Sequence, residues 1–363
     1  MKLKVDWVMQ MDNLIIELLG VSLCIYYYKN LPETNFNLRP HKNKKIKKVK
    51  LPPELQVRFN EAEFRGIASK EIKDAVNEFL EVLTNNFPRE ILTNFYNNIH
   101  DMQIHMTDYK LKNIFHKIEF NGSFNAKTNT IKLNKNEQNY EAIFHELFHM
   151  ASTVSLDNDI YSGFRQHKTY NSKDDIGVGI NEGYTQALTE RYFGHIEGIK
   201  YSYPFETFIA CLIEEIIGED KMAKYYFNSN LYGLIDELSQ YNLPNNVMKF
   251  IYNLDFLNKI PTLPNMKSLE QDYIIKAIKQ IINFLFYTYE RKIKKQFNKG
   301  LISENEYIRN LEIYAIKLKT IYYSKSYRYV IDNNINFVGN LPTLNTQINV
   351  SSLDESFTIQ KKK

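Results

Sequence analysis

Apolar residues recur at helical spacing over much of this chain. At residues 69–83 they fall on Ile72, Val76, Phe79, Leu80 and Leu83, the rhythm that lays one stripe of a helix against a core. Ser69 offers an N-cap oxygen and Pro88 limits the helix, with a second expected over 89–99. The period then shortens. Residues 117–120 and 130–133 alternate apolar with polar, separated by Asn121-Gly122 and a polar loop at 125–129, which predicts short strands joined by turns. Helical spacing resumes at 139–154, 181–193, 204–217, 219–227, 230–241 and 268–298. Gly218 would close one of these helices, and Ser303 with Glu306 forms a capping box that opens another. No repeat of 20–50 residues is visible. The pattern predicts an α+β protein, mostly helical, with a small sheet just before the 139–154 helix.

Composition narrows the picture. A hydrophobic share of 44% over 363 residues is enough for a sizeable core. A net charge of +4 is too small to argue for nucleic acid, and no such partner is expected. Cys24 and Cys211 sit in apolar stretches without a CxxC neighbour, so both read as buried thiols, which suits a cytoplasmic location. Residues 14–28 are apolar except for Glu17, shorter than the roughly 20 residues of a spanning helix. They read as a core or interfacial helix. The basic run Lys42 to Lys50 that follows reads as a solvated arm. Peripheral membrane contact through this segment, or binding of anionic lipid or nucleic acid by the lysines, is the alternative reading.

The chemistry concentrates in His145-Glu146-Leu147-Phe148-His149. Residues four apart share a helix face, so the two imidazoles stand side by side and Glu146 reaches a water next to any ion they hold. Neutral imidazole is a preferred zinc ligand, and a catalytic zinc takes three protein ligands and keeps one position open. Ala142, Ile143, Phe144, Leu147, Phe148, Met150 and Ala151 are uncharged, so this helix can be buried while its histidines line a cleft. No His stands six residues after His149, where Ser155 lies instead, so the third ligand must come from elsewhere. Glu182, at the start of a later helix within Gly179-Ile180-Asn181-Glu182-Gly183-Tyr184, is the best source. Glu190, Asp174, Asp175 and His167 are weaker candidates.

The two segments His145 to His149 and Asn181-Glu182-Gly183 resemble the gluzincin group of zinc metallopeptidases. The likeness covers roughly residues 117–194. It implies a zincin-like core and a Zn2+ cofactor held by His145, His149 and Glu182. The implied activity is peptide-bond hydrolysis, with Glu146 taking a proton from the attacking water and returning it to the leaving amine. A peptide or protein substrate is the implied partner, and the strand at 130–133 the edge it would pair with. In that group an acidic residue four positions after the third ligand commonly orients a ligating His. Here Gln186 stands there, with Glu190 one turn on as a substitute. Tyr161, His167 and Tyr170 are the candidates to stabilise an oxyanion. The other class of function open to the chain is a catalytically inactive interaction protein on the same scaffold. The expected organisation is an N-terminal apolar helix and basic linker (1–53), a zincin-like catalytic region (54–200), a helical C-terminal region (201–338) and a loosely ordered tail (339–363).

Overall fold

The computed structural model of the protein describes residues 70–99, 101–107, 122–134, 140–156, 159–167, 175–194, 203–259 and 268–320. The expected helix at 14–28, the basic run, the strand at 117–120 and the tail at 339–363 lie outside them. Among the described residues the chain is mostly helical, with ten α-helices and two three-stranded sheets.

Helix α1 (Lys70–Asn86) buries Val76, Phe79, Leu80 and Leu83, as its spacing requires. The single helix expected over 89–99 is instead a 3-10 turn, Arg89–Ile91, followed by α2 (Thr93–Asn98). The break falls at Leu92, which is buried and held at φ −96°, ψ 17°, outside the helical region. Three strands make the first sheet: β1 (Gln103–Thr107), β2 (Gly122–Asn125) and β3 (Thr130–Asn134), in the order β1-β3-β2. β3 runs parallel to β1 and antiparallel to β2, with Ile131 opposite both Ile104 and Phe124. The strand expected at 130–133 is therefore present, but it is central. It has a neighbour on each side, so it offers no free edge to a substrate, and that expectation is corrected. β1 and β2 each have one described neighbour, and β2 is the one that lies against α3.

Helix α3 (Tyr140–Ala151) ends earlier than its apolar run suggests. Ser152 closes the last turn onto Phe148 and His149, and the β-branched pair Thr153-Val154 enters a strand. That strand, β4 (Thr153–Leu156), begins an antiparallel meander with β5 (Asp159–Ser162) and β6 (Arg165–His167). Thr153 fastens the junction: its hydroxyl lies 2.7 Å from the His149 carbonyl and 2.8 Å from Ser162 Oγ.

The middle of the fold is α4 (Val178–Phe193), buried on nearly all sides. Its start has no side-chain cap of its own. Gly177 precedes it at φ 79°, a conformation that favours glycine. The cap comes from α8 (Pro244–Lys259), where Asp255 accepts the Gly177 and Gly179 N–H groups at 2.7 and 2.8 Å. Two glycines let neighbours come close. A Cβ at Gly179 would lie 2.7 Å from the Leu254 carbonyl oxygen of α8. One at Gly183 would lie 2.2 Å from the Glu206 carbonyl oxygen of α5 (Pro204–Ile217).

Helices α6 (Glu219–Phe227), α7 (Leu231–Ser239), α9 (Ser268–Asn298) and α10 (Glu304–Thr320) complete the C-terminal part. α8 packs on both α4 and α9, where Phe250 and Phe284 stack at 4.4 Å. The capping box forms as its spacing predicts, with Glu306 accepting the Ser303 N–H at 2.8 Å. Phe79 of α1, Phe144 and Phe148 of α3 and Phe193 of α4 form one aromatic cluster. Phe144 stacks on Phe193 at 3.8 Å, and Phe79 meets Phe148 edge-on at 4.9 Å. This cluster backs α3 and α4, and the opposite face of α3 carries the histidines. Burial pushes the half-buried Cys211 thiol up to about 12, as expected for an unreactive cysteine. Among the described residues no helix is long and apolar enough to cross a membrane.

Candidate metal centre

His145 and His149 lie one turn apart on α3 and face the first turns of α4, which bring up Glu182. His145 Nε2 is 3.1 Å from Glu182 Oε2 and 3.1 Å from His149 Nε2, and the third side, His149 Nε2 to Glu182 Oε2, is 3.4 Å. The three side chains are nearly withdrawn from solvent. This group could hold a metal ion. Its dimensions suit one, because a tetrahedral ion with bonds of about 2.0–2.1 Å holds its ligand atoms roughly 3.3–3.4 Å apart. Two imidazoles and one carboxylate are also a donor set that zinc accepts.

The electrostatics follow from crowding. Burial alone would raise the Glu182 carboxyl, but His149 and His145 beside it hold it well below the usual carboxylate range. Burial opposes charge on His145 as well, yet its contact with Glu182, helped by Glu146 and Gln186, carries its pKa above the ordinary value. Glu146 is driven up, first by burial and further by the like charge of Glu182, while both histidines and the Phe124 backbone N–H pull the other way. That N–H belongs to β2. The strand lies so close to α3 that a Cβ at Gly122 would stand 3.2 Å from Glu146 Cγ.

The outer nitrogens of the two rings have different surroundings. His145 Nδ1 is 3.0 Å from Gln186 Oε1, and the Gln186 amide nitrogen donates to Glu190 Oε1 at 3.0 Å. Since the amide oxygen can only accept, Nδ1 carries a proton, and a neutral ring held this way would offer Nε2 to an ion. His149 Nδ1 lies 3.5 Å from Thr185 Oγ1 and 3.3 Å from the Asn181 amide nitrogen, whose partner oxygen accepts the Phe164 N–H. Thr185 gives its own proton to the Asn181 carbonyl at 2.8 Å, so its oxygen is an acceptor towards His149.

Of the other residues the sequence offered, Glu190 stands behind Gln186 rather than beside the histidines. Asp175 is taken up by Arg165, whose Nε lies 3.0 Å from Oδ2. His167 ends β6, while Asp174 and Tyr170 lie outside the described residues. Tyr161 is in β5, and no described contact joins it to the cluster.

Tyr203 was not among the expected site residues. It precedes α5 in a left-handed conformation, φ 50°, which is uncommon for a non-glycine residue and concentrates at functional sites. Its ring stacks on His145 at 5.8 Å and is 39% exposed, so it lies where the cluster meets solvent. The negative charge of Glu182, then burial and Glu146, hold its phenol pKa well above 10, which keeps the hydroxyl a donor. The only local signal was the Tyr203-Pro204 step, which marks a helix start.

Glu206, in the first turn of α5, is a buried carboxyl outside the cluster. Burial pushes it up to about 7, with Glu182 adding to the effect and an Asn258 contact at 3.4 Å opposing it. A folded pKa raised above the unfolded one means the native state binds the extra proton. Stability from this group is full below about pH 4.5 and is lost as pH rises through about 7, up to about 3 kcal/mol. Asp255, raised to about 6 by burial, adds in the same direction. Glu206→Gln in chelator should therefore flatten the fall in Tm between about pH 5 and about pH 8. Calorimetry at both pH values checks this, and an unchanged fall would contradict the assignment.

The chain matches no protein-family model, no curated protein and no solved structure.

Proposed function

We propose that the protein is a zinc-dependent hydrolase acting on peptide bonds, built on a zincin-like core. The observation that carries this reading is the convergence of His145 Nε2, His149 Nε2 and Glu182 Oε2 at 3.1–3.4 Å, with Glu146 buried on the same helix. Zinc bound there would supply a Lewis acid that polarises a carbonyl and acidifies a water. His145, His149 and Glu182 hold the ion. Glu146 is the group that accepts a proton from the attacking water and passes it to the leaving amine, and its raised pKa suits both halves of that task. Tyr203 stands at the exposed side of the cluster as a hydroxyl donor for charge developing on the substrate oxygen. β2, beside Glu146, takes the role of substrate-pairing strand that the sequence had suggested for 130–133.

A metal-free reading has one observation on its side. The Asn181 amide nitrogen, a donor, lies nearer His149 Nδ1 than Thr185 does, which favours the tautomer that does not bind metal. His145 and Glu182 would then be an ordinary buried ion pair, and the chain an interaction protein. Elemental analysis of protein purified without added zinc separates the two readings. One zinc per chain, with cleavage of a mixed peptide library that stops in chelator and returns with zinc, is the expected result. Protein that takes up no zinc even when it is supplied would leave the metal-free reading standing.

A further inference from the structure

We infer that the groove between α8 and α9 is a docking site for an extended, acidic segment of peptide. The groove shares no residue with the metal centre, and the inference rests on the hydrolase reading only for the docked segment being substrate. The two helices run antiparallel. Asn253 Nδ2 donates to Gln280 Oε1 at 2.9 Å at one end, and Arg291 Nη1 donates to the Tyr241 carbonyl at 3.0 Å at the other. Between these ties lies a cavity of about 240 Å³, floored by the stacked rings of Phe250 and Phe284. That is below the ~300–1,000 Å³ usual for a small-molecule site, and Lys249, Tyr287 and Arg291 around it are exposed. The space is an open trough rather than an enclosing pocket. Asn246 and Asn253, two turns apart on α8, lie roughly 10 Å apart along it, the span of about three residues of extended chain.

The walls are built of side-chain amides. The Asn242 oxygen accepts the Leu243 N–H at 3.0 Å, which fixes its orientation, so it is the amide nitrogen of Asn246 that meets the same oxygen at 3.0 Å. The Asn246 oxygen is left as an acceptor. Asn253 and Gln280 spend one end of each amide on the other. Whichever way that pair is turned, it leaves one oxygen and one nitrogen, one from each wall. A main-chain peptide unit needs an acceptor for its N–H and a donor for its C=O, and an extended chain presents both along its edges. A helical segment has already bonded those groups to one another. The charge is one-sided as well. Lys249 and Arg291 line the groove and no Asp or Glu does, so the complementary chain is acidic. α8 also packs on α4, with the Leu254 carbonyl against Gly179 and Asp255 on the Gly177 and Gly179 N–H groups. A segment docked beside Asn253 is thus held by a helix in contact with the one that presents Glu182.

The test is fluorescence anisotropy on the full chain in chelator, where zinc-dependent cleavage cannot intervene. The probes are a labelled heptapeptide of alternating Ser and Glu, the same peptide with its main-chain nitrogens methylated, and a heptapeptide of alternating Ser and Lys. The Ser-Glu peptide is expected to bind, and methylation to weaken it about 10-fold through lost main-chain hydrogen bonds. Lys249→Glu changes an exposed side chain. It should weaken the Ser-Glu peptide roughly 10-fold and strengthen the Ser-Lys peptide, an exchange that damage to the fold would not produce. With zinc supplied, a quenched substrate extended by the Ser-Glu run should show a lower KM than one extended by Ser-Lys at similar kcat, and Lys249→Glu should reverse that order. Equal binding of the acidic and basic peptides, or of the methylated and unmethylated ones, would overturn the inference. So would displacement of the peptide by glutarate as readily as by unlabelled peptide, which would make the groove a small-anion site. Absence of zinc from wild type would instead overturn the hydrolase reading, and anisotropy in chelator would still decide the groove.

Discussion

Glu182→Ala is expected to lose its zinc during purification, with affinity reduced by more than the ~10–100-fold that a supporting residue contributes. The reason is geometric. Without Glu182 Oε2 the remaining donors are two neutral nitrogens 3.1 Å apart, and a dication would sit buried with no negative charge in contact. Glu146 cannot replace it without giving up the Phe124 N–H that holds it against β2. Elemental analysis of wild type and variant, prepared side by side, reads the result. Equal zinc in both would return the third ligand to another residue. The variant should still fold, because Asp255 caps the start of α4 and the aromatic cluster buries its end, and neither depends on Glu182.

The second large effect is on rate. Glu146→Gln is expected to keep its zinc, since Glu146 is not one of the three converging residues, and to lose about 10²–10⁴-fold in kcat/KM. An amide of the same shape cannot take the proton from water or return it to the amine. Measuring metal content and peptide hydrolysis on the same preparation ties the loss to the proton rather than to the ion. Zinc-dependent activity equal to wild type would remove Glu146 from the proposed chemistry. Tyr203 remains a separate element of the site, reached from the solvent side.

The helix face of the cluster was legible because its signal is local. Spacing alone places His145 and His149 together, and the apolar residues between them say which side of α3 faces the core. Glu182 was legible as part of another helix, expected from 181; the structure starts that helix at Val178 and sets Glu182, in its second turn, beside the two histidines. The bounds of α5 and α9 agree with the expected 204–217 and 268–298, since each has a clear apolar rhythm and a proline or serine at its start. What the sequence did not disclose depends on distant partners. Asp255 is an unremarkable acidic residue until the fold sets it on the Gly177 and Gly179 N–H groups. Whether 130–133 is an edge or a centre depends on β1, which comes to lie beside it only through the fold. Gln186 looked like a missing carboxylate, because an amide reveals its orientation only through the groups on both sides of it.

The borrowed cap on α4 also has a consequence in time. Asp255 lies 78 residues beyond Gly177, whose N–H it accepts. A ribosome adding ~5–20 residues per second needs roughly 4–16 s to travel that distance. For most of that interval the nascent chain already carries His145, His149 and Glu182, while the start of the helix that presents Glu182 is uncapped. The site is thus completed late in synthesis, by a segment that contributes no ligand.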